Sequence, residues 1–178
     1  MMKTALISRS TALISGFVLG LVLSLGSQAA HAQATKPLGK SGAWEALTYT
    51  ENGSPVCYMG AVPDKAKGNY TRRGDTFVLI THRPGDRTFD VFSVEAGYSY
   101  KDGSEVTVSI GGQTFKLFTQ GGNAFAYDDK ADTALVRAMK RGSTMVIKGQ
   151  SSRGTLTTDT YSLKGFTASH GKIDKACR

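Results

Sequence analysis

The run Glu105-Val-Thr-Val-Ser-Ile110, Gly111-Gly112, Gln113-Thr-Phe-Lys-Leu-Phe118 leaves this chain little choice of structure. Apolar and polar residues alternate on both sides of a two-residue glycine turn, the pattern of a β-hairpin with one face on a core. The short loop also sets the register. Ile110 must face Gln113, Val108 must face Phe115 and Val106 must face Leu117, which gathers the apolar side chains on one face and leaves Thr107, Ser109, Thr114 and Lys116 to water.

Other short runs bounded by turn residues read as strands in the same way: Trp44 to Tyr49, Pro55 to Val62, Thr76 to Arg83, Thr88 to Glu95, Ala124 to Tyr127, Thr144 to Lys148 and Thr155 to Leu163. In Phe89-Asp-Val-Phe-Ser-Val94 the alternation slips between Val91 and Phe92, which fits either a bulge or a strand covered on both faces. Two segments have helical spacing instead. Asp129 to Arg141 brings Ala131, Ala134, Leu135, Ala138 and Met139 to one side before a Gly142 stop, and Gly165 to Ala176 does so with Phe166, Ala168 or Ser169, Ile173 and Ala176, leading into Cys177. The 21 glycines against four prolines suit many tight turns. The expected fold is mainly β: a single β-sandwich-like domain or partly open barrel with two short helices, the last at the C-terminus.

The chain opens as an exported protein does. Lys3 and Arg9 precede an uncharged run from Thr11 to Leu25, and Ala30-His31-Ala32 offers the small residues that signal peptidase accepts. Residues 1–32 are therefore expected to be a cleaved signal peptide, because an apolar run of about 15 residues is short of the roughly 20 that span a bilayer. No cysteine near the cut permits an acyl anchor, and no later segment is apolar enough to cross a membrane. Polar residues 33–42 show no periodicity and are expected to form a loose lead to a domain over 43–178.

Cys57 and Cys177 are the only cysteines. In an oxidising compartment one disulfide is the simplest reading and two free thiols the other. The rest of the chain offers little chemistry. His82 and His170 sit in no zinc-ligand pattern, so no metal or other cofactor is expected, and His82 at a strand end reads as a surface residue. No G-x-S-x-G elbow occurs; Ser151-Ser152-Arg153-Gly154 reads as a turn. Asn52-Gly53-Ser54 is likewise read as a turn, with Pro55 unfavourable to glycosylation, and Asp128, Asp129 and Asp132 as helix-capping acids. No catalytic residue is assigned, and the protein is expected not to be an enzyme.

The formal charge is +8, and the chain stays clearly basic once Lys3 and Arg9 leave with the signal. Candidate contacts to an anionic surface fall in two clusters, Lys65, Lys67, Arg72 and Arg73 in one polar connection and Arg83 and Arg87, beside His82, around another. They lie at opposite ends of one strand and are not expected to converge; solvated loops are the alternative.

The stretch Gly149-Gln-Ser-Ser-Arg-Gly154-Thr-Leu-Thr-Thr-Asp159-Thr-Tyr-Ser-Leu163-Lys-Gly165-Phe166, with Ile173 and Cys177 after it, resembles the C-terminal signature of the invasion-associated locus B family. Trp44, Val56-Cys57-Tyr58 and Arg83-Pro84 resemble one branch of it, although the extra cysteine some members carry near the tryptophan is missing here. The resemblance implies a β-sandwich-like bacterial envelope protein, periplasmic, associated peripherally with the outer membrane, or secreted. It carries over no catalytic residues. The expected function is binding, to an unidentified envelope or host-surface component rather than nucleic acid, with an enzyme or chaperone acting on envelope polymers, or a structural envelope protein, as the other readings.

Overall fold

The computed structural model describes residues 34–178, and the expected signal peptide lies outside them. In chain order the elements are β1 (Lys36–Ser41), β2 (Trp44–Glu51), β3 (Ser54–Ala61), β4 (Lys65–Gly68), β5 (Phe77–Arg83), a 3-10 turn (Pro84–Asp86), β6 (Thr88–Glu95), β7 (Glu105–Ile110), β8 (Gln113–Gln120), β9 (Asn123–Phe125), α1 (Asp129–Arg141), β10 (Thr144–Gln150), β11 (Leu156–Ser162) and α2 (Phe166–Cys177). All eleven strands belong to one open antiparallel sheet, in the order β1-β2-β3-β5-β6-β9-β8-β7-β10-β11-β4. A single continuous sheet places the fold on the barrel side of the two expected architectures.

The β7–β8 hairpin has the expected register, with Val106, Val108, Ile110 and Leu117 buried and Thr114 and Lys116 exposed. Asn52 and Gly53 form the β2–β3 turn, both at positive φ (50° and 79°), the backbone that a two-residue hairpin requires. The lead expected over 33–42 is different: Lys36–Ser41 is an edge strand, bulged between Pro37 and Gly39, with Leu38 packed against the core. Polar, proline-bearing sequence is tolerated there because an edge needs neither a second hydrogen-bonded neighbour nor an apolar face. The basic connection at Lys65–Gly68 is likewise a strand, fully exposed, at the other edge.

The two far ends of the sheet are brought together around one core. Trp44 on β2 is fully buried and its indole N–H donates to the Ser162 carbonyl at 2.9 Å. The chain leaving β3 crosses to β11, where the Asp64 amide donates to Thr160 O before β4 joins the ladder. Helix α1 is capped by Asp128, which accepts from the Ala131 amide, and buries Leu135, Val136, Ala138 and Met139. Asp132 is no cap: it is buried and accepts the Phe92 amide at 2.8 Å, hanging α1 on β6.

Helix α2 starts at Gly165, whose φ of 90° and closeness to Ser41 O leave no room for a Cβ. Its buried stripe is Phe166, Ser169, His170, Ile173 and Cys177. Phe166 meets the Trp44 ring edge-on at 4.9 Å, and the Ser169 hydroxyl donates to Trp44 O. Cys177 is bonded to Cys57 on β3, which fastens the end of the helix to the sheet.

Replacing both cysteines by serine is expected to lower the unfolding free energy by about 4 to 5 kcal/mol on chain-entropy grounds, read from urea titrations. Amide exchange should accelerate in α2 more than in β7–β8, since only α2 loses its tether.

Candidate functional site

Three loops, 69–74 before β5, 97–99 after β6 and 151–155 between β10 and β11, enclose a cleft of about 710 Å³. The loops are held from behind. Gly74 and Gly97 pack backbone to backbone, the Gly74 amide donating to Gly97 O at 2.9 Å, and a Cβ on Gly97 would lie 2.3 Å from Gly74 O. The Ser152 amide donates to Ser99 O at 2.8 Å, tying the third loop to the second.

Arg73 forms the floor. Its guanidinium makes a two-pronged pair with Asp159 on β11, both contacts 2.6 Å, while its Nε donates to Ala96 O at 2.7 Å. Both side chains are about 95% buried. Burial disfavours the Arg73 charge, but the Asp159 hydrogen bond and charge outweigh it and raise its pKa. The guanidinium also lies 5.1 Å from the Tyr98 ring centre and 5.6 Å from that of Tyr70, and Tyr98 Oη shares a 2.6 Å hydrogen bond with Thr157. Arg72 and Arg153 stand exposed on the lining, with no ion pair among the described residues.

A second polar group lies where the inner face of α2 meets His82 of β5 and Asp90 of β6. His82, expected at the surface, is fully buried. The register explains it: Val78, Ile80 and His82 share the inward face of β5, a signal present in the alternation itself. His170 is buried on the inner stripe of α2. Asp90 joins them through a bulge, since between the Thr81–Val91 and Arg83–Thr88 pairs β6 carries one residue more than β5, and Asp90 takes a left-handed φ of 61°. The slip in alternation was thus a bulge, placed slightly earlier than the sequence suggested.

His82 Nδ1 accepts the Asp90 amide at 3.0 Å, so its proton resides on Nε2, which donates to Asp174 at 2.9 Å. Burial pushes the His82 pKa down, against the opposing effects of its hydrogen bond to Asp174 and the charge of Asp90. The ring nitrogens of His170 point at Asp90 (2.7 Å) and Asp174 (2.9 Å), and Arg178 pairs with both carboxylates. Burial would raise the Asp90 carboxyl, yet His170 and Arg178 hold it down at about 2. Donor atoms of His82, Asp90, His170 and Asp174 lie within 4.8 Å of one another, near enough for one cation. The hydrogen bonding opposes that use. A neutral histidine that ligates through Nε2 carries its proton on Nδ1, where the Asp90 amide already points, and Arg178 supplies the positive charge. The network serves to dock α2.

The basic residues singled out in the sequence have different fates. Lys65 and Lys67 are exposed on β4, Arg72 lines the cleft, and Arg73 is withdrawn from any surface contact by Asp159. Arg83 points outward and pairs with Glu51 at 3.2 Å, while Arg87 is exposed after the 3-10 turn. Arg72 and Arg87 flank β5 at its opposite ends, which a seven-residue strand separates by about 20 Å. Sequence reasoning missed Tyr70, Tyr98, Asp159 and the use of Ser151–Arg153 as a cleft wall, because the three loops are distant in the chain.

A family model described as Invasion associated locus B (IalB) protein matches residues 44–174, which include the whole cleft. The crystal structure of invasion associated protein b from Bartonella henselae is similar in fold, with a TM-score of 0.54 at 13% identity over 80% of this chain and 96% of that one. Comparison with curated proteins gives no match.

Two outcomes test this geometry. A folded-state His82 pKa below the ordinary 6.5 means that the unfolded chain binds the proton first, so its contribution to stability is present above pH 6.5 and fades below it. Asp132, lifted by burial to about 6, works the other way over pH 4 to 6, so the comparison must be between wild type and His82→Asn: urea midpoints should fall more steeply from pH 7 to 5 in the wild type. Asp159→Ala leaves the Arg73 charge buried and alone, and should cost about 3 to 5 kcal/mol in the same titration at pH 7.

Proposed function

Because the chain belongs to the invasion associated locus B family, we propose that it is an exported, periplasmic or outer-membrane-associated protein that acts by binding an envelope or host-surface component in the cleft of Arg72 and Arg153. One observation carries the choice of binding over catalysis. The cleft lining contains no carboxylate, imidazole, thiol or lysine, Arg73 at its floor is committed to Asp159, and the two tyrosine hydroxyls are already bonded, Tyr70 to Ala66 O and Tyr98 to Thr157, with burial pushing the Tyr98 pKa up. General acid–base and nucleophilic chemistry need a group that can give or take a proton or attack, held within reach of a substrate. The serines and threonines there have no base beside them. What remains is a rigid set of hydrogen-bonding groups with two available cations, which suits recognition.

An enzyme or chaperone would be favoured by a deep polar pocket around His82, Arg83 or Asp128–Asp129. The depression beside Asp129 measures about 330 Å³; of the two beside Arg83, one of about 430 Å³ is walled by Tyr49, Val56, Tyr58 and Leu79, and the other, with Glu51 and Asp86, holds only about 230 Å³ and has Glu51 paired to Arg83. Export is supported by the charge–apolar–small order of residues 1–32 and by the disulfide, a bond that persists in oxidising compartments.

The test is fractionation followed by crosslinking and pull-down from intact cells. The mature protein should begin at Gln33 by mass and bring down an envelope or surface component. Arg153→Ala, an exposed loop change expected to alter stability by no more than about 0.5 kcal/mol, should lose that capture. Mature protein found free, with no partner in either version, would sink the proposal.

A further inference from the structure

This inference rests on the binding reading and gives its ligand a chemistry: we propose that the cleft takes an acidic saccharide, a sugar unit bearing a carboxylate, phosphate or sulfate. The lining contains no aliphatic side chain larger than a threonine methyl, and its apolar surface is chiefly that of the Tyr70 and Tyr98 rings, flat faces suited to a sugar ring rather than a pocket for an acyl chain. It contains no carboxylate, so a cationic ligand would face Arg72 and Arg153 unbalanced. What it does present is a dense set of side-chain amide and hydroxyl groups, from Asn69, Thr71, Ser99, Ser152 and Thr155, matched to a polyhydroxylated ligand. The volume of about 710 Å³ falls within the roughly 300–1,000 Å³ of small-ligand sites.

The two guanidinium groups add the requirement for negative charge. Arginine recognises carboxylate, phosphate and sulfate through paired N–H donors, and these two come from separate loops, so an anion between them would be held from two sides. Their loops are fixed before any ligand arrives. The Arg73–Asp159 pair, the Arg73 bond to Ala96 O, the Gly74–Gly97 contact and the Ser152–Ser99 bond hold the backbone beneath them, which reduces the entropy lost on binding. Arg73 is in this sense a positioning residue: it shapes the floor and leaves contact with the charged group to its neighbours.

An acidic sugar can come from the bacterium's own envelope or from a host surface, and the chemistry is shared. Titration calorimetry at low salt would therefore use three probes: delipidated, phosphorylated lipopolysaccharide core oligosaccharide, a sulfated glucuronate-containing tetrasaccharide, and neutral maltotetraose. At least one acidic probe should bind roughly tenfold tighter than maltotetraose, with affinity falling as salt rises. Whichever acidic probe wins identifies the source. Arg72→Gln and Arg153→Gln should each weaken that binding about threefold or more and together remove the preference, while Arg87→Gln at the far end of β5 should leave it unchanged, with unaltered circular dichroism confirming the fold. Equal affinity for maltotetraose, or equal weakening by Arg87→Gln, overturns the proposal. So does failure of every probe to bind while the pull-down from cells still depends on Arg153; that result discards the saccharide and leaves the binding reading standing.

Discussion

A sheet with eleven strands in one ladder still has two edges, and side-chain bonds across the space between its ends hold this one in a roll. Near one end of the seam Trp44 of β2 donates to Ser162, the last residue of β11. Toward the other, Arg73 ahead of β5 grips Asp159 in β11. β4 pairs with β11 over Thr157–Thr160, the stretch that contains Asp159. The cleft depends on this closure: its first and third loops are joined directly by the Arg73–Asp159 pair and indirectly through the 97–99 loop, by Gly74 to Gly97 and Ser152 to Ser99, and together these bonds hold Arg72 near Arg153. The stability of the roll and the shape of the site are one constraint.

Docking α2 is the other half of that closure, and it joins covalent, steric and electrostatic means in one place. The disulfide joins the last turn of the helix to β3, Gly165 admits its first turn against Ser41, and the His82, Asp90, His170, Asp174 and Arg178 network fills the contact with paired charges. Asp90 accepts an uncommon backbone conformation to take part. Such a residue persists only where its surroundings over-determine it, and here three polar partners, His82, His170 and Arg178, do so.

The parts of the fold that could be read from sequence are those where local chemistry and period agree. Gly111-Gly112 gave a hairpin of the expected register, Asn52-Gly53 the expected turn, and the apolar stripe of Asp129–Arg141 gave α1. The two edge strands were illegible because they show no alternation: Lys36–Ser41 puts only Leu38 against the core and looked like a lead, and Lys65–Gly68 buries neither face and looked like a connection. His82 was misread because its side chain was weighed alone; its place after Val78 and Ile80 in the inward register put it inside. Arg73 was taken for one basic residue among several, since the carboxylate that captures it lies 86 positions away and no local pattern announces it. The cleft was invisible for the same reason, although one of its walls is the Ser151–Thr157 stretch that carried the family resemblance.

Every bond that seals the roll joins residues far apart in the chain: 86 positions for Arg73 and Asp159, 118 for Trp44 and Ser162, 120 for the two cysteines. Hairpins form within microseconds, whereas contacts of such separation wait on the entropy of closing large loops. Folding should therefore run from independent hairpins to a late sealing event. The only tryptophan of the sequence sits buried on that seam, so its fluorescence in a stopped-flow trace reports the sealing directly, as a phase slower than the gain of β-sheet ellipticity.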